Sequence, residues 1–300
     1  MKNNRLVLID AFALIHRAYH ALPPFTTKDG QPVGAVYGFA SALLGAIRTL
    51  GPEYLAVGID LPKPTKRHLE YVEYKAHRAP APDDLKAQIP LVKEVLATFN
   101  IPVFAMEGYE GEDVIASLIS KCKSQNSKLE CIIVTGDLDT LQLIDNQTKV
   151  YSMARGVNQA TMYDSEKVKE RYGLTPSQFV DFKALKGDPS DNIPGVPGIG
   201  EKGAAKLISE YKNLENIYKN IEKLSEKLQT LLKENKEQAF LSQKLSKIET
   251  NLNIDFKLSD ARVHDYDYEK VKKLFNKLGF RSLIKRLPES HRENHQQTLL

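Results

Sequence analysis

The chain has 300 residues, 42% of them hydrophobic, and 42 Lys and Arg against 38 Asp and Glu give a net charge of +4. That is enough to bury one large core, or a core with a helical annex, while the apolar run Leu6–Ile9 stops at Asp10 and does not read as a signal peptide or membrane span. Two cysteines, Cys122 and Cys131, exclude a disulfide scaffold, match no zinc spacing and point to core positions in a reducing, cytoplasmic compartment.

Four short apolar runs read as buried parallel strands: Leu6–Ile9, Leu55–Ile59, Val103–Met106 and Cys131–Val134. Helical patterns separate them, at Val36–Leu50, Leu91–Phe99 and Val114–Cys122. Alternating strands and helices over residues 1–150 indicate an α/β fold built on a parallel sheet covered on both faces, in a core expected to run to residue 173. Between the second strand and the next long helix lies the 61–90 segment, with prolines at 62, 64, 80, 82 and 90, several Lys and Arg, and Tyr71 and Tyr74. A connection this long inside a domain is usually functional or disordered. Its cations and tyrosines suit a nucleic-acid backbone and a stacked base, although a solvated basic loop has the same composition. After Thr175 the strand pattern stops, and helical stretches follow at 176–185, 201–211, 220–249 and 268–278. Residues 174–287 are therefore expected to form a helical subdomain, and 288–300 a polar, disordered tail.

Acidic residues follow all four strand runs. Asp10 follows the first and Asp60 the second; Glu110, Glu112 and Asp113 follow the third after a turn, and Asp137 and Asp139 the fourth. One such acid is ordinarily a cap or turn residue, and Glu112 and Asp113 alone would be first-turn helix acids. Acids after every strand, however, converge on one sheet edge, where α/β ligands bind. Two carboxylates 4 Å apart at an effective dielectric of 20 repel by about 4 kcal/mol. Such a cluster requires cations, and oxygen ligands at this density select Mg²⁺ or Mn²⁺ over zinc. Two ions flanking a phosphate would support phosphodiester hydrolysis. Asp188 and Asp191, in the turn-rich Lys186–Asn192 segment, are either Asx turns or the completion of a second metal site. Setting nine such carboxylates aside leaves 42 basic against 29 acidic residues, a body suited to a polyanion.

Gly198-Ile199-Gly200-Glu201-Lys202-Gly203 has the letters of a dinucleotide-binding turn, but no strand precedes it and no P-loop lysine stands in place. A glycine turn opening a helix in a helical region fits a hairpin whose N–H groups grip DNA phosphates.

These stretches together carry a resemblance: Ile9-Asp10, Arg67-His68, Tyr74–Pro80, Gly108–Asp113, Thr135–Asp139, and Gly187–Gly195 running into Gly198–Lys202. The chain resembles the 5′ nuclease (flap endonuclease) family, above all the N-terminal 5′→3′ exonuclease domain of bacterial DNA polymerase I, from about Leu6 to Leu287. The resemblance implies a PIN-like nuclease core with a helical arch at 61–90 and a helix-hairpin-helix type motif in the helical part. It implies one Mg²⁺ near Asp10, Asp60, Glu112 and Asp113 and a second near Asp137, Asp139, Asp188 and Asp191, with Glu110 in support and Mn²⁺ able to substitute. It makes Lys75 and Arg78 catalytic, and gives DNA contacts to Arg17, Arg67, Tyr71, Tyr74, Gly195, Gly198, Gly200 and Lys202, with K⁺ at the Gly195–Gly203 hairpin. The implied substrates are flapped or nicked duplex DNA with a free 5′ end and RNA primers on DNA, cut during replication and repair by a monomer that works either alone or beside a separately encoded polymerase. Two departures stand out. Glu110-Gly111-Glu112-Asp113 replaces the usual Glu-Ala-Asp-Asp, and Leu138 stands where Lys is frequent; neither removes a carboxylate. The rivals are a binding module that has lost catalysis, a PIN-type ribonuclease, and a phosphatase built on Asp137-Leu138-Asp139.

Overall fold

The computed structural model describes residues 4–153, 159–263 and 265–288. A six-stranded sheet organises them: β1 (Arg5–Asp10), β2 (Tyr54–Gly58), β3 (Val103–Phe104), β4 (Glu130–Thr135), β5 (Thr148–Ser152) and β6 (Thr161–Tyr163), in the spatial order β3-β2-β1-β4-β5-β6. The first five run parallel and β6 returns antiparallel at the edge. Along β1, Val7 and Ile9 enter one hydrophobic cluster and Leu6 and Leu8 the other. Alternate residues of a pleat face opposite sides, so a strand covered on both sides reads as an unbroken apolar run. Each of these side chains is fully buried, a stabilisation of about 2 kcal/mol apiece.

Among the strands run α1 (Ala11–Ala21), α2 (Gly34–Leu50), α3 (Lys66–Glu70), α4 (Asp83–Lys86), α5 (Ile89–Thr98) and α6 (Gly111–Gln125). Beyond the sheet come α7 (Ser165–Tyr172), α8 (Phe179–Lys186), α9 (Glu201–Tyr211), α10 (Leu214–Lys219), α11 (Glu226–Glu234), α12 (Lys236–Ser246), α13 (Tyr268–Lys277) and α14 (Arg281–Ile284). Helices α1, α2 and α5 cover one face of the sheet, joined by Val271 and Phe275 of α13 and Leu283 of α14. Helices α6, α8, α9 and α10 share the cluster on the other face. Thus α13 and α14, read from sequence as part of the helical annex, pack on the α/β core.

Several elements differ from the sequence reading. The expected strand Val103–Met106 pairs over only two residues, and Val103 is exposed, because β3 lies at the sheet edge. Strands β5 and β6 and helices α1, α7, α10 and α14 lie outside the elements that the sequence pattern predicts. The stretch 220–249 is not one helix: a short 3-10 turn at Ile221–Lys223 precedes α11, and Asn235 separates α11 from α12. The 61–90 segment holds only the short α3 and α4, with turns at 72–77 between them, so the helical arch is mostly non-helical here. The polar tail, past Pro288, lies outside the described residues.

The glycine-rich segment is a hairpin between α8 and α9, with Gly200 as the N-cap of α9. Asp188 and Ile193 exchange backbone hydrogen bonds of 2.8 and 2.9 Å, and α12 pins the loop through Ser242 Oγ, which accepts from Gly195 N, and Gln238, which donates to Gly195 O. Gly195 has φ of +63°, and a Cβ there would lie 2.3 Å from Gly187 N. Gly200 has extended φ and open space around it. Gly195→Ala is therefore expected to cost about 2–4 kcal/mol, from overpacking and a left-handed backbone, whereas Gly200→Ala should stay within about 0.5 kcal/mol. Urea melts compare the two; equal stabilities would mean that the loop opens freely.

Candidate active site

Parallel strands end on one side, and the register aligns Asp10 of β1 with Gly58 of β2, two residues before Asp60. On the other side of β1, β4 ends at Thr135, two residues before Asp137. Since β2 and β4 flank β1 on opposite sides, this edge is the switch point where α/β sheets open a crevice. A cavity of about 900 Å³ lies there. Seven carboxylates line it: Asp10, Asp60, Glu110, Glu112, Asp137, Asp139 and Asp188. Arg17, Lys75, Arg78, Lys183 and Lys186 line it too, and residues 79–82 wall one side.

Local structure fixes each acid. Asp10 ends β1 and caps α1, accepting from Ala13 N at 3.2 Å and from Thr135 Oγ1 at 2.8 Å. Asp60 accepts from Gly111 N at 2.6 Å. Asp137 accepts from Asp139 N at 2.9 Å. Glu110 is the N-cap of α6 in a capping box with Asp113. Burial, then the neighbouring Asp60, pushes the Asp10 carboxyl up to about 7. Burial and Asp137 likewise push Asp139 to about 7, although Lys183 opposes them. Asp60 is raised chiefly by burial. Glu112 is raised by burial and by Glu110, Asp139 and Asp137, against the pull of Arg67.

Two of the expected ligands stand elsewhere. Asp113 is fully buried and both its oxygens face the Arg67 guanidinium at 2.8 Å. It also accepts from Glu110 N and Glu249 N, leaving nothing to offer the cavity. Glu112 and Asp113 are successive residues of one helical turn, about 100° apart, so only one can look into the cleft. Asp191 is buried against Arg78, Lys75 and the Tyr74 hydroxyl rather than lining the cavity. Arg67 and Tyr74, expected at DNA, are buried as well. Arg67 Nε and Nη2 donate to the Leu245 and Lys247 carbonyls at 2.9 and 2.7 Å, while Tyr74 reaches Glu110 and Asp191. The counter-charge that the acids need draws both inward. Lys75 and Arg78 do face the cavity, Lys75 within 2.8 Å of both Glu110 oxygens. Lys202 and Gly200 are exposed on the hairpin, and Tyr71 is half-buried.

Sequence reasoning missed Lys183. It sits on α8, buried, with its ammonium paired to Asp139 and, at 2.6 Å, to Asp188. The available signal was a lysine flanked by Phe182 and Ala184, five residues before Asp188. Among the described residues, no three acidic, histidine or cysteine side chains already converge as a ready metal cage; Lys183, Lys75 and Arg67 stand between them.

Residues 5–173 match the model of the 5′-3′ exonuclease N-terminal resolvase-like domain, and residues 174–269 the 5′-3′ exonuclease C-terminal SAM fold. The chain belongs to the 5′-3′ exonuclease family. Its members are nucleases, hydrolases acting on DNA. The chain is 44% identical over 285 residues to DNA polymerase I of Caldicellulosiruptor bescii, covering 94% of this chain and 33% of that protein. It is 37% identical over 300 residues to DNA polymerase I of Bacillus subtilis, covering 100% and 34%. The chain thus spans about a third of the length of these curated relatives. In fold it is similar to the bacteriophage T5 flap endonuclease pseudo-enzyme-product complex with DNA and metal ions (TM-score 0.66, 21% identity, 92% of this chain and 99% of that one). It is also similar in fold to the catalytic core of Rad2 in complex with DNA substrate (TM-score 0.59, 17% identity, 94% and 92%).

The raised acids of this member of the 5′-3′ exonuclease family set the sign of its pH dependence. A carboxyl whose folded value lies above its unfolded value of 3.8 binds its proton more tightly in the native state. Stability is then greatest below that value and falls as pH rises towards 7, the level reached by Asp10 and Asp139. His16 and His68, which burial holds neutral, act in the opposite sense, but the four raised acids outnumber them. In chelator, the urea midpoint is expected to be lower at about pH 8 than at about pH 5. A midpoint that rose over that interval would show that the acids are not mutually strained.

Proposed function

We propose that the chain is a divalent-metal-dependent 5′ nuclease that cuts phosphodiester bonds of flapped or nicked duplex DNA, and of RNA primers on DNA, near a free 5′ end. One observation carries this reading: seven carboxylates from four strand ends and the hairpin loop face a single cavity that five cations also line. The donor set fits a hard cation, since every candidate ligand is an oxygen and burial makes the uncompensated charge costly. Asp10, Asp60 and Glu112 would hold one Mg²⁺, and Asp137, Asp139 and Asp188 the second, with Mn²⁺ as a substitute. When bound, the two ions supply a nucleophilic water at neutral pH and neutralise the leaving oxygen. Glu110 orients Lys75 and so supports the site without ligating. Asp113 and Asp191 act further out, Asp113 by fixing α6 and Arg67, Asp191 by holding Arg78 and Lys75.

The remaining residues bind and orient. Lys75 and Arg78 stand on the wall formed by the 61–90 segment, where a phosphate in the cavity would compete with Glu110 and Asp191 for them. Arg17 on α1 offers a further cation on the same cavity. Gly195, expected at DNA, is buried with its N–H spent on Ser242, so the largely exposed Gly198–Gly203 part of the hairpin would present backbone N–H groups and Lys202 to duplex backbone, with K⁺ as a bridging ion. The DNA in the similar T5 and Rad2 structures supports DNA as the partner. The polymerase relatives suggest gap filling by a polymerase after the cut. Among the described residues no helix is long and apolar enough to cross a membrane.

A 5′-flap duplex, single-stranded RNA and a small phosphomonoester, each assayed with Mg²⁺, separate this function from its rivals, and only the flap should be cut efficiently. Asp137→Ala is expected to lower flap cleavage about a thousandfold or more while flap binding stays within about threefold. Undiminished cleavage by wild type in excess chelator would overturn the reading.

A further inference from the structure

Lys183 is the one lysine among the described residues that is buried. Desolvating an ammonium costs several kcal/mol unless acids compensate it closely. Here they do: the ammonium joins Asp139, which follows β4, to Asp188, in the loop after α8. The oxygens it takes are the ones with no other duty. Asp188 spends Oδ1 on the Ser190 N–H and hydroxyl, at 2.8 and 2.6 Å, and leaves Oδ2 to Lys183. Asp139 gives Oδ2 to the same ammonium. Burial alone would raise the Asp188 carboxyl, but Lys183 and Ser190 outweigh it and hold it down at about 2. Were Lys183 needed only to fill volume on α8, an unbranched apolar chain would serve at no desolvation cost. Its side chain is buried yet lines the cavity, so the ammonium sits where an ion entering the site would meet it.

We infer that Lys183 is a resident counter-cation of the Asp139–Asp188 pair, which a divalent ion must displace to bind at Asp137, Asp139 and Asp188. The inference rests on the two-ion reading proposed above. It assigns Lys183 a positioning role: without the second ion it keeps Asp139 and Asp188 paired and the loop after α8 docked, and it weakens that ion's binding by competing for the same two oxygens. The ion at Asp10, Asp60 and Glu112 meets a weaker competitor, because Asp10 and Asp60 accept from neutral donors and Glu112 only approaches Arg67, at 3.7 Å, whose guanidinium is already spent on Asp113.

The test is a Mn²⁺ titration at about pH 8 of the full chain and two variants, following free Mn²⁺ by electron paramagnetic resonance. Wild type should show one tighter and one weaker step. Lys183→Met removes the charge and keeps an unbranched chain; it should strengthen the weaker step by about tenfold or more and leave the tighter step within about twofold. Its melting temperature should fall in chelator, where Asp139 and Asp188 lose their partner, and should gain more from Mn²⁺ than that of wild type. Lys183→Arg keeps the charge in a two-pronged donor and should leave the weaker step unchanged or weaker still. A Lys183→Met protein whose weaker step is unchanged or weakened, or a Lys183→Arg protein whose weaker step is strengthened, overturns the role of Lys183 and leaves the two-ion reading standing. A wild type that binds no Mn²⁺ overturns both.

Discussion

Repulsion among carboxylates on one sheet edge is the constraint around which the molecule is arranged. Seven acids face one cavity, and in a partly desolvated site each close pair costs several kcal/mol if both stay charged. Three internal cations relieve part of this. Arg67 satisfies Asp113 and approaches Glu110 and Glu112. Lys75 neutralises Glu110, and Lys183 bridges Asp139 and Asp188. Each comes from a different part of the chain, so the charge balance also ties the parts together. Arg67 fastens α3 to α6 and to the carbonyls of Leu245 and Lys247. Tyr74, Lys75 and Arg78 fasten the 61–90 segment to the hairpin loop, where the Lys75 N–H also donates to the Asp191 carbonyl.

The fold makes this possible because parallel strands deliver their ends to one place. Asp10 shows the economy of the arrangement: the residue that ends β1 also caps α1, so one carboxylate is positioned by both elements. Thr135, at the end of β4, holds its second oxygen. Function and local structure are therefore coupled, and substituting Asp10 would disturb a helix start as well as a charge. Asp60 differs: among the described residues its donor is a single backbone N–H, leaving one oxygen for the cavity.

Much of this was readable in the sequence, for physical reasons that also explain the failures. Strands β1, β2 and β4 are buried on both faces and so appear as plain apolar runs, whereas β5 mixes Thr148, Lys149 and Tyr151 with Val150 and hides its strand character. Helix α1 is hidden in the sequence because its cap, Asp10, serves equally as the acid that ends β1. Acids that follow strands could be placed at one edge from topology alone. Which of two neighbouring acids looks into the cleft could not, because that depends on helix phase and on Arg67, forty-six residues away from Asp113. A buried lysine such as Lys183 carries even less signal, since its pairing is set by packing between α8, the residues after β4 and the hairpin loop.

Strain among the acids, accepted for the sake of binding cations, is the central claim, and Asp60 gives it the cleanest measurement. Asp60→Asn keeps the oxygen that accepts from Gly111 N and removes only charge. Urea unfolding in chelator at about pH 8 should show the variant more stable than wild type. The same variant should gain less stability from Mg²⁺ and lose flap cleavage. An Asp60→Asn protein less stable than wild type in chelator would contradict the claim, because the Asp60 carboxylate would then be a structural asset rather than a charge held in reserve for a cation.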